Sequence, residues 1–143
     1  MTRTATCVIV DTSALVAIAK FEPHAKTLHD AIVAEGAIVP APVLVEYNRV
    51  TTDRGKRPDP AAQDVLRFLM AKALTVEPFT AADAEIAVAA DAQHGLGNGR
   101  GGTLNFGDLM VYAVAKRLAK PILCTGGDFA AAGADLHPAS RTW

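Results

Sequence analysis

The stretch Cys7-Val8-Ile9-Val10-Asp11-Thr12-Ser13-Ala14 (residues 7–14) decides the fold class. Four short apolar residues, three of them β-branched, read as a buried strand. Asp11-Thr12-Ser13 ends it, and Ser13 is placed to cap a helix over Ala14 to Lys20. A strand apolar on both faces, followed at once by a helix, belongs to a parallel sheet covered on both sides.

The rest of the chain repeats that unit. A second helix is expected from about Pro23 to Gly36, a glycine suited to a helix C-cap, and a strand over Ala37 to Pro40. Pro42 fits the first turn of a helix that ends before Gly55, and residues Arg54 to Pro60 form a polar, proline-broken loop. A helix over Ala61 to Ala73 leads to a strand at Thr75 to Phe79. Thr80 caps a helix to about Gln93, His94 to Thr103 is glycine-rich, and Asn105 caps a helix to about Ala119. Pro121 to Thr125 is a strand, Gly126-Gly127 turns, and Ala134 to His137 is a short last strand. The expected fold is a three-layer α/β/α sandwich around a mostly parallel sheet of four to five strands, one domain over residues 1–143.

Sites in such sheets form beyond the carboxyl ends of the strands. Asp11 and Asp128 each follow a strand. Asp108 sits in the first turn of the helix that descends toward the strand at Pro121, and Glu46 lies early in the helix after Ala37–Pro40. Topology therefore brings four acids, far apart in sequence, to one edge. Each alone has an ordinary explanation. Asp11 complements a helix dipole, Glu46 is a boundary residue on the Val43–Val50 stripe, Asp108 forms a capping box with Asn105, and Asp128 is a turn aspartate. Together, at about 4 Å, such carboxylates repel by roughly 4 kcal/mol per pair at an effective dielectric near 20. A divalent cation relieves this, and an all-oxygen ligand set points to Mg²⁺ or Mn²⁺ rather than zinc.

Other chemistries fit poorly. Gly97 to Gly102 matches G-x-G-x-x-G but follows a helix, so it lacks the dinucleotide-binding context. It reads instead as a loop at the mouth of the site, with Arg100 able to meet a phosphate. Ser13 lacks a nucleophile elbow, and the four histidines form no acid–base pair. Cys7 and Cys124 read as buried free thiols. No apolar run is long enough to span a membrane, and the N-terminal residues lack a signal-peptide stretch, so a cytoplasmic protein is expected. Net charge is −1; with four acids assigned to a cation, eleven acids face fourteen Lys and Arg, a balance of +3. An acidic pit inside a basic rim suits a polyanion, and Arg54, Lys56 and Arg57 are candidate contacts. The high apolar content suggests a partner-covered face, such as a homodimer.

Val-Ile-Val-Asp-Thr-Ser-Ala, Val-Glu-Tyr, Leu-Asn-Phe-Gly-Asp and Pro-Ile-Leu-Cys-Thr-Gly-Gly-Asp-Phe together resemble the PIN-domain ribonucleases, and more closely the VapC toxins of type II toxin–antitoxin pairs. The resemblance implies an acidic quartet at Asp11, Glu46, Asp108 and Asp128. It makes Asp11, Asp108 and Asp128 the metal ligands, and places Ser13, Asn105 and Thr125 behind them. The Gly126-Gly127 doublet stands where a second acid is common in that family. The resemblance further implies a metal-dependent endoribonuclease acting on RNA, a homodimer, and a VapB-like antitoxin that silences it. A non-catalytic RNA-binding or complex-forming PIN module, and a phosphatase or flap-type DNA nuclease, are the alternatives.

Overall fold

The computed structural model describes residues 7–53 and 56–141. Arg54, named above as a candidate RNA contact, lies outside them. Val8–Val10 (β1) runs into Thr12–Ala19 (α1) and Ala25–Glu35 (α2); Ala37–Pro40 (β2) into Ala41–Thr51 (α3) and Pro60–Lys72 (α4). Leu74–Glu77 (β3) is followed by Ala81–His94 (α5) and Phe106–Leu118 (α6), and Ile122–Leu123 (β4) by the short helix Asp128–Ala131 (α7).

All strand pairs are parallel, in the order β3-β2-β1-β4. The chain moves outward from β1 to β2 to β3, then jumps back to place β4 on the other side of β1. Right-handed crossovers put α1, α2 and α4 on one face and, once the direction reverses, α5 and α6 on the other. The packing agrees: α1 lies against α2 and α4, whereas α5 lies against α6, and α6 covers β1, β2 and β4. α3 touches both α1 and α6, so it spans the carboxyl edge between the two layers. The reversal between β1 and β4 is the switch point at which such sheets open a crevice. Val8, Ile9 and Val10 are fully buried, as a central parallel strand requires.

Several boundaries differ from expectation for local reasons. β3 stops at Glu77 because Pro78 has no N–H to continue the ladder. The segment read as a last strand, Ala134 to His137, makes only an isolated parallel bridge, Ile122 to Leu136, so the sheet has four strands among the described residues. Pro138 interrupts that ladder. Ser140 replaces it with side-chain bonds, accepting from Cys124 N–H at 3.1 Å and donating to the Ile122 carbonyl at 3.0 Å. Ser13 does not cap α1; the N-cap is Asp11, whose side chain accepts from Ser13 N–H. On α3 the core face is Val43 and Tyr47, at i and i+4, while Val50 is largely exposed. Glu46 therefore lies beside the apolar stripe rather than within it. Cys124 is buried, whereas Cys7 is only half-buried.

One buried charge fixes α6 against α5. Asp83, with no exposed surface, accepts from Arg117 Nε at 2.5 Å and Nη2 at 3.1 Å, and closes a capping box with Thr80. Arg117 also donates to Glu77 at 3.0 Å, which ties the end of β3 into the pair. Arg117→Ala leaves Asp83 buried and uncompensated. The expected result is a urea-unfolding midpoint below the wild type's. A midpoint within error of the wild type would show that this network carries no stability.

Candidate active site

β1 delivers Asp11 to the carboxyl edge one residue beyond its last paired position, where Asp11 N–H donates to the Leu123 carbonyl of β4 at 3.0 Å. The side chain is only 4 % exposed. Its Oδ2 accepts from Ser13 N–H at 3.0 Å and from Ser13 Oγ–H at 2.6 Å. Ser13 Oγ in turn accepts from Thr125 N–H at 3.0 Å, which ties the ends of β1 and β4 together across the switch point. Thr125 enters this chain through its backbone, not its hydroxyl.

Asn105 and Asp108 form the capping box of α6. Asp108 N–H donates to the Asn105 side chain at 2.8 Å, and Asn105 N–H donates to Asp108 Oδ2 at 3.1 Å. The box fixes Asp108 on the first turn with its other oxygen outside the pair. Glu46, half-buried on α3, accepts from Thr12 Oγ–H at 2.5 Å. Asp128 opens α7 and is exposed. Gly126, two residues before it, has φ +87°, so an acidic residue there would be strained.

These residues line one cleft of about 290 Å³: Asp11, Glu46, Asp108 and Asp128, with Thr12, Ser13, Asn105 and Thr125 and the apolar Val16, Val50 and Phe129. Among the described residues, no Lys, Arg or His lines it. The electrostatic result is plain at Asp108, whose carboxyl is pushed up to about 7. Burial is the main cause, and the charges of Asp11, Asp128 and Glu46 add to it against the Asn105 hydrogen bond. Asp11 is raised as well, first by burial and then by Glu46, against the lowering bonds from Ser13. Behind the cleft, burial and then Asp11 push the Cys124 thiol up to about 12, which leaves it unreactive.

The acids converge without closing into a cage. Among the described residues, no three His, Cys, Asp or Glu side chains stand close enough to hold a metal ion as they lie. Glu46, Asp108 and Asp11 are each turned toward a local donor: Thr12, the Asn105 backbone and Ser13. The donor set itself fits a hard divalent cation, since it is all oxygen and its charges help raise Asp11 and Asp108, with no basic side chain among the described residues of the cleft to offset them.

The described basic candidates, Lys56, Arg57 and Arg100, do not line this cleft. Lys56 and Arg57 are exposed, and Arg57 lines a separate hollow of about 520 Å³ with Lys20. Arg100 is exposed on the glycine-rich loop, where Asn98 Oδ1 accepts from Arg100 N–H and Gly102 N–H. That loop meets the site through Thr103, whose hydroxyl donates to the Asp128 carbonyl at 2.8 Å. Beside the cleft, an apolar groove of about 900 Å³ runs between α3 and α6, with Val45 (70 % exposed) and Phe106 (79 % exposed) on its walls. Thr12 is the site residue that sequence reading missed. Its neighbours Asp11 and Ser13 carry the motif, and only the approach of α3 gives its hydroxyl a partner.

The PIN domain family model matches residues 8–134. Among curated proteins, Ribonuclease VapC36 of Mycobacterium tuberculosis is 38% identical over 124 residues, 85% of this chain and 86% of that protein. Ribonuclease VapC42 of the same species is 36% identical over 132 residues, 92% and 98% of the two chains. Among solved structures, VapC20 of M. tuberculosis, described as a sarcin–ricin loop cleaving toxin, superposes with a TM-score of 0.68 at 23% identity, covering 89% of this chain and 95% of that one. VapBC2 of Rickettsia felis, bound to a DNA fragment from its promoter, gives 0.70 at 14%, covering 96% and 98%. With the family model and relatives at this identity spanning most of its length, the chain belongs to the PIN-domain family and, within it, to the VapC group.

Proposed function

We propose that the carboxyl-edge cleft hydrolyses RNA phosphodiester bonds with a divalent cation, Mg²⁺ or Mn²⁺, and that the chain is the toxin of a type II toxin–antitoxin pair. The observation that carries this reading is the cleft itself: four acids, no basic side chain among the described residues, and Asp108 raised to about 7 by burial and its acidic neighbours. Asp11, Asp108 and Asp128 would hold the ion, and Glu46 would complete its shell directly or through water. When bound, Mg²⁺ or Mn²⁺ would supply a water of lowered pKa and offset the negative charge of the phosphate. Ser13, through Oγ, keeps Asp11 oriented and joins it to the Thr125 backbone, while Asn105 holds Asp108 at the head of α6. Products then carry a 5′-phosphate and a 3′-hydroxyl. Cleavage is expected to stop in excess EDTA and return with Mg²⁺ or Mn²⁺. Cleavage that persists without metal, or ends that carry a 2′,3′-cyclic phosphate, would overturn the mechanism.

The basic side chains outside the cleft suit the RNA backbone at a distance from the cut. Replacing Lys56 and Arg57 by Ala is expected to raise KM with little change in kcat. It should also flatten the salt dependence of log KM by about 0.7 per neutralised phosphate contact. A slope equal to the wild type's would remove both from the RNA path.

A homodimer and a VapB-like antitoxin complete the proposal. The exposed apolar side chains, Val45 and Phe106 beside the cleft and Phe21 and Phe68 between α1 and α4, support faces that partners cover. Solved relatives described as a VapBC pair and as a toxin–antitoxin complex support the antitoxin. No described helix is long and apolar enough to cross a membrane.

A further inference from the structure

Gly107 is the second residue of α6, between the exposed Phe106 and the site residue Asp108. Its backbone is helical and outside the left-handed region that demands glycine. Alanine would suit that backbone and favour the helix, because glycine there loses more conformational freedom on folding. What stands in the way is Glu46. A Cβ at position 107 would lie 2.5 Å from Glu46 Oε2, 3.0 Å from its Cδ and 3.1 Å from Oε1, and these are its three nearest heavy atoms. On its other side the same carboxylate accepts from Thr12 Oγ–H at 2.5 Å. The Glu46 head is thus seated between the Thr12 hydroxyl and the bare backbone of Gly107.

We propose that Gly107 is a positioning residue for Glu46: the missing Cβ lets the α3 carboxylate rest on the first turn of α6, bonded to Thr12 and beside Asp108. The obstacle is the tip of a flexible side chain, so Gly107→Ala folds and Glu46 moves instead. A role in helix geometry alone predicts a stabler protein too, but with an unchanged site. The inference rests on the proposed reading only where Glu46 acts on metal and RNA; the seating of its carboxylate is independent of that reading.

The test is Gly107→Ala in the full chain, read three ways. Thermal unfolding is expected at or above the wild-type temperature. In the metal-free protein, the NMR signal of the Thr12 methyl is expected to shift, and Glu46→Ala is expected to move it in the same direction, since both remove the carboxylate from the hydroxyl. Mn²⁺ affinity by calorimetry is expected to fall about 10-fold, near the low end of what losing an outer-shell partner costs, with kcat falling and KM for RNA little changed. In a Glu46→Ala background, Gly107→Ala should have no further effect on Mn²⁺ affinity or kcat, because its only route is through Glu46. An unmoved Thr12 signal, a lowered unfolding temperature, or an equal additional loss in the Glu46→Ala background would overturn the proposal. A wild type that neither binds Mn²⁺ nor cuts RNA would sink the proposed function instead, and would leave the Thr12 result to decide this one.

Discussion

Asp11→Asn is expected to lower RNA cleavage by about 10³-fold or more, the several kcal/mol that a metal's contribution is worth, while the protein stays folded. The side chain is 4 % exposed, and its Oδ2 accepts two bonds from Ser13. Asparagine keeps that shape, and its amide oxygen can accept the same two bonds. What disappears is a negative charge that burial and Glu46 already disfavour, so folding stability should hold or rise. The loss is then assigned to chemistry rather than to the fold. Two measurements check it: cleavage of an RNA substrate under saturating Mg²⁺, and urea unfolding of both proteins without metal. Activity equal to the wild type would take Asp11 off the catalytic list, and an unfolded variant would make it a structural residue.

The fold was legible because its signals are local and repeat. A β-branched strand running into Asp-Thr-Ser, glycine at the C-cap of α2, Thr80 and Asn105 as N-caps, and prolines at helix starts all fall where the backbone changes course. The convergence of the acids followed from topology, because strand ends share an edge in a parallel sheet. The misplacements are tertiary. Ser13 looks like an N-cap by residue type, yet Asp11 takes that role and Ser13 turns its hydroxyl to Asp11 and the end of β4. Ala134 to His137 has strand-like composition, but Pro138 and the Ser140 side chain reduce it to a bridge. Thr12 and Gly107 matter through Glu46, which is 34 residues from Thr12 in the chain. No periodicity encodes such a contact. Asp128 showed a different limit: the sequence places it at the right edge but does not say that it stands exposed.

Asp108→Asn is expected to do two opposite things, abolishing cleavage and stabilising the metal-free protein. Burial first, then the charges of Asp11, Asp128 and Glu46, push the Asp108 carboxyl up to about 7 from an ordinary 3.8. Between about pH 4 and pH 7 the folded protein therefore holds a proton at this site that the unfolded chain has released. A native state that binds more protons than the unfolded state loses stability as pH rises. The Asp108 contribution accordingly declines across that window and stays low above it. Asparagine carries no such charge and can still accept the Asn105 N–H bond that closes the capping box. At pH 8 the variant should be stabler by about 1–2 kcal/mol, a figure held down by solvent screening of a half-exposed group. That corresponds to roughly 3–6 °C in unfolding temperature, and at pH 4 the two proteins should agree. The difference between the curves isolates Asp108, because Asp83, held low by Arg117 despite its burial, moves both stabilities the other way. Saturating Mg²⁺ should narrow or reverse the gap at pH 8 by stabilising the wild type more, since an ion that binds only the folded state adds stability in proportion to its affinity. Equal metal-free stabilities at pH 8 would mean that the cleft does not strain its acids. A variant that still cuts RNA at the wild-type rate would mean that Asp108 does not hold the ion. The sign of the stability change carries the argument: a carboxylate kept where it destabilises the fold is one retained for what it binds.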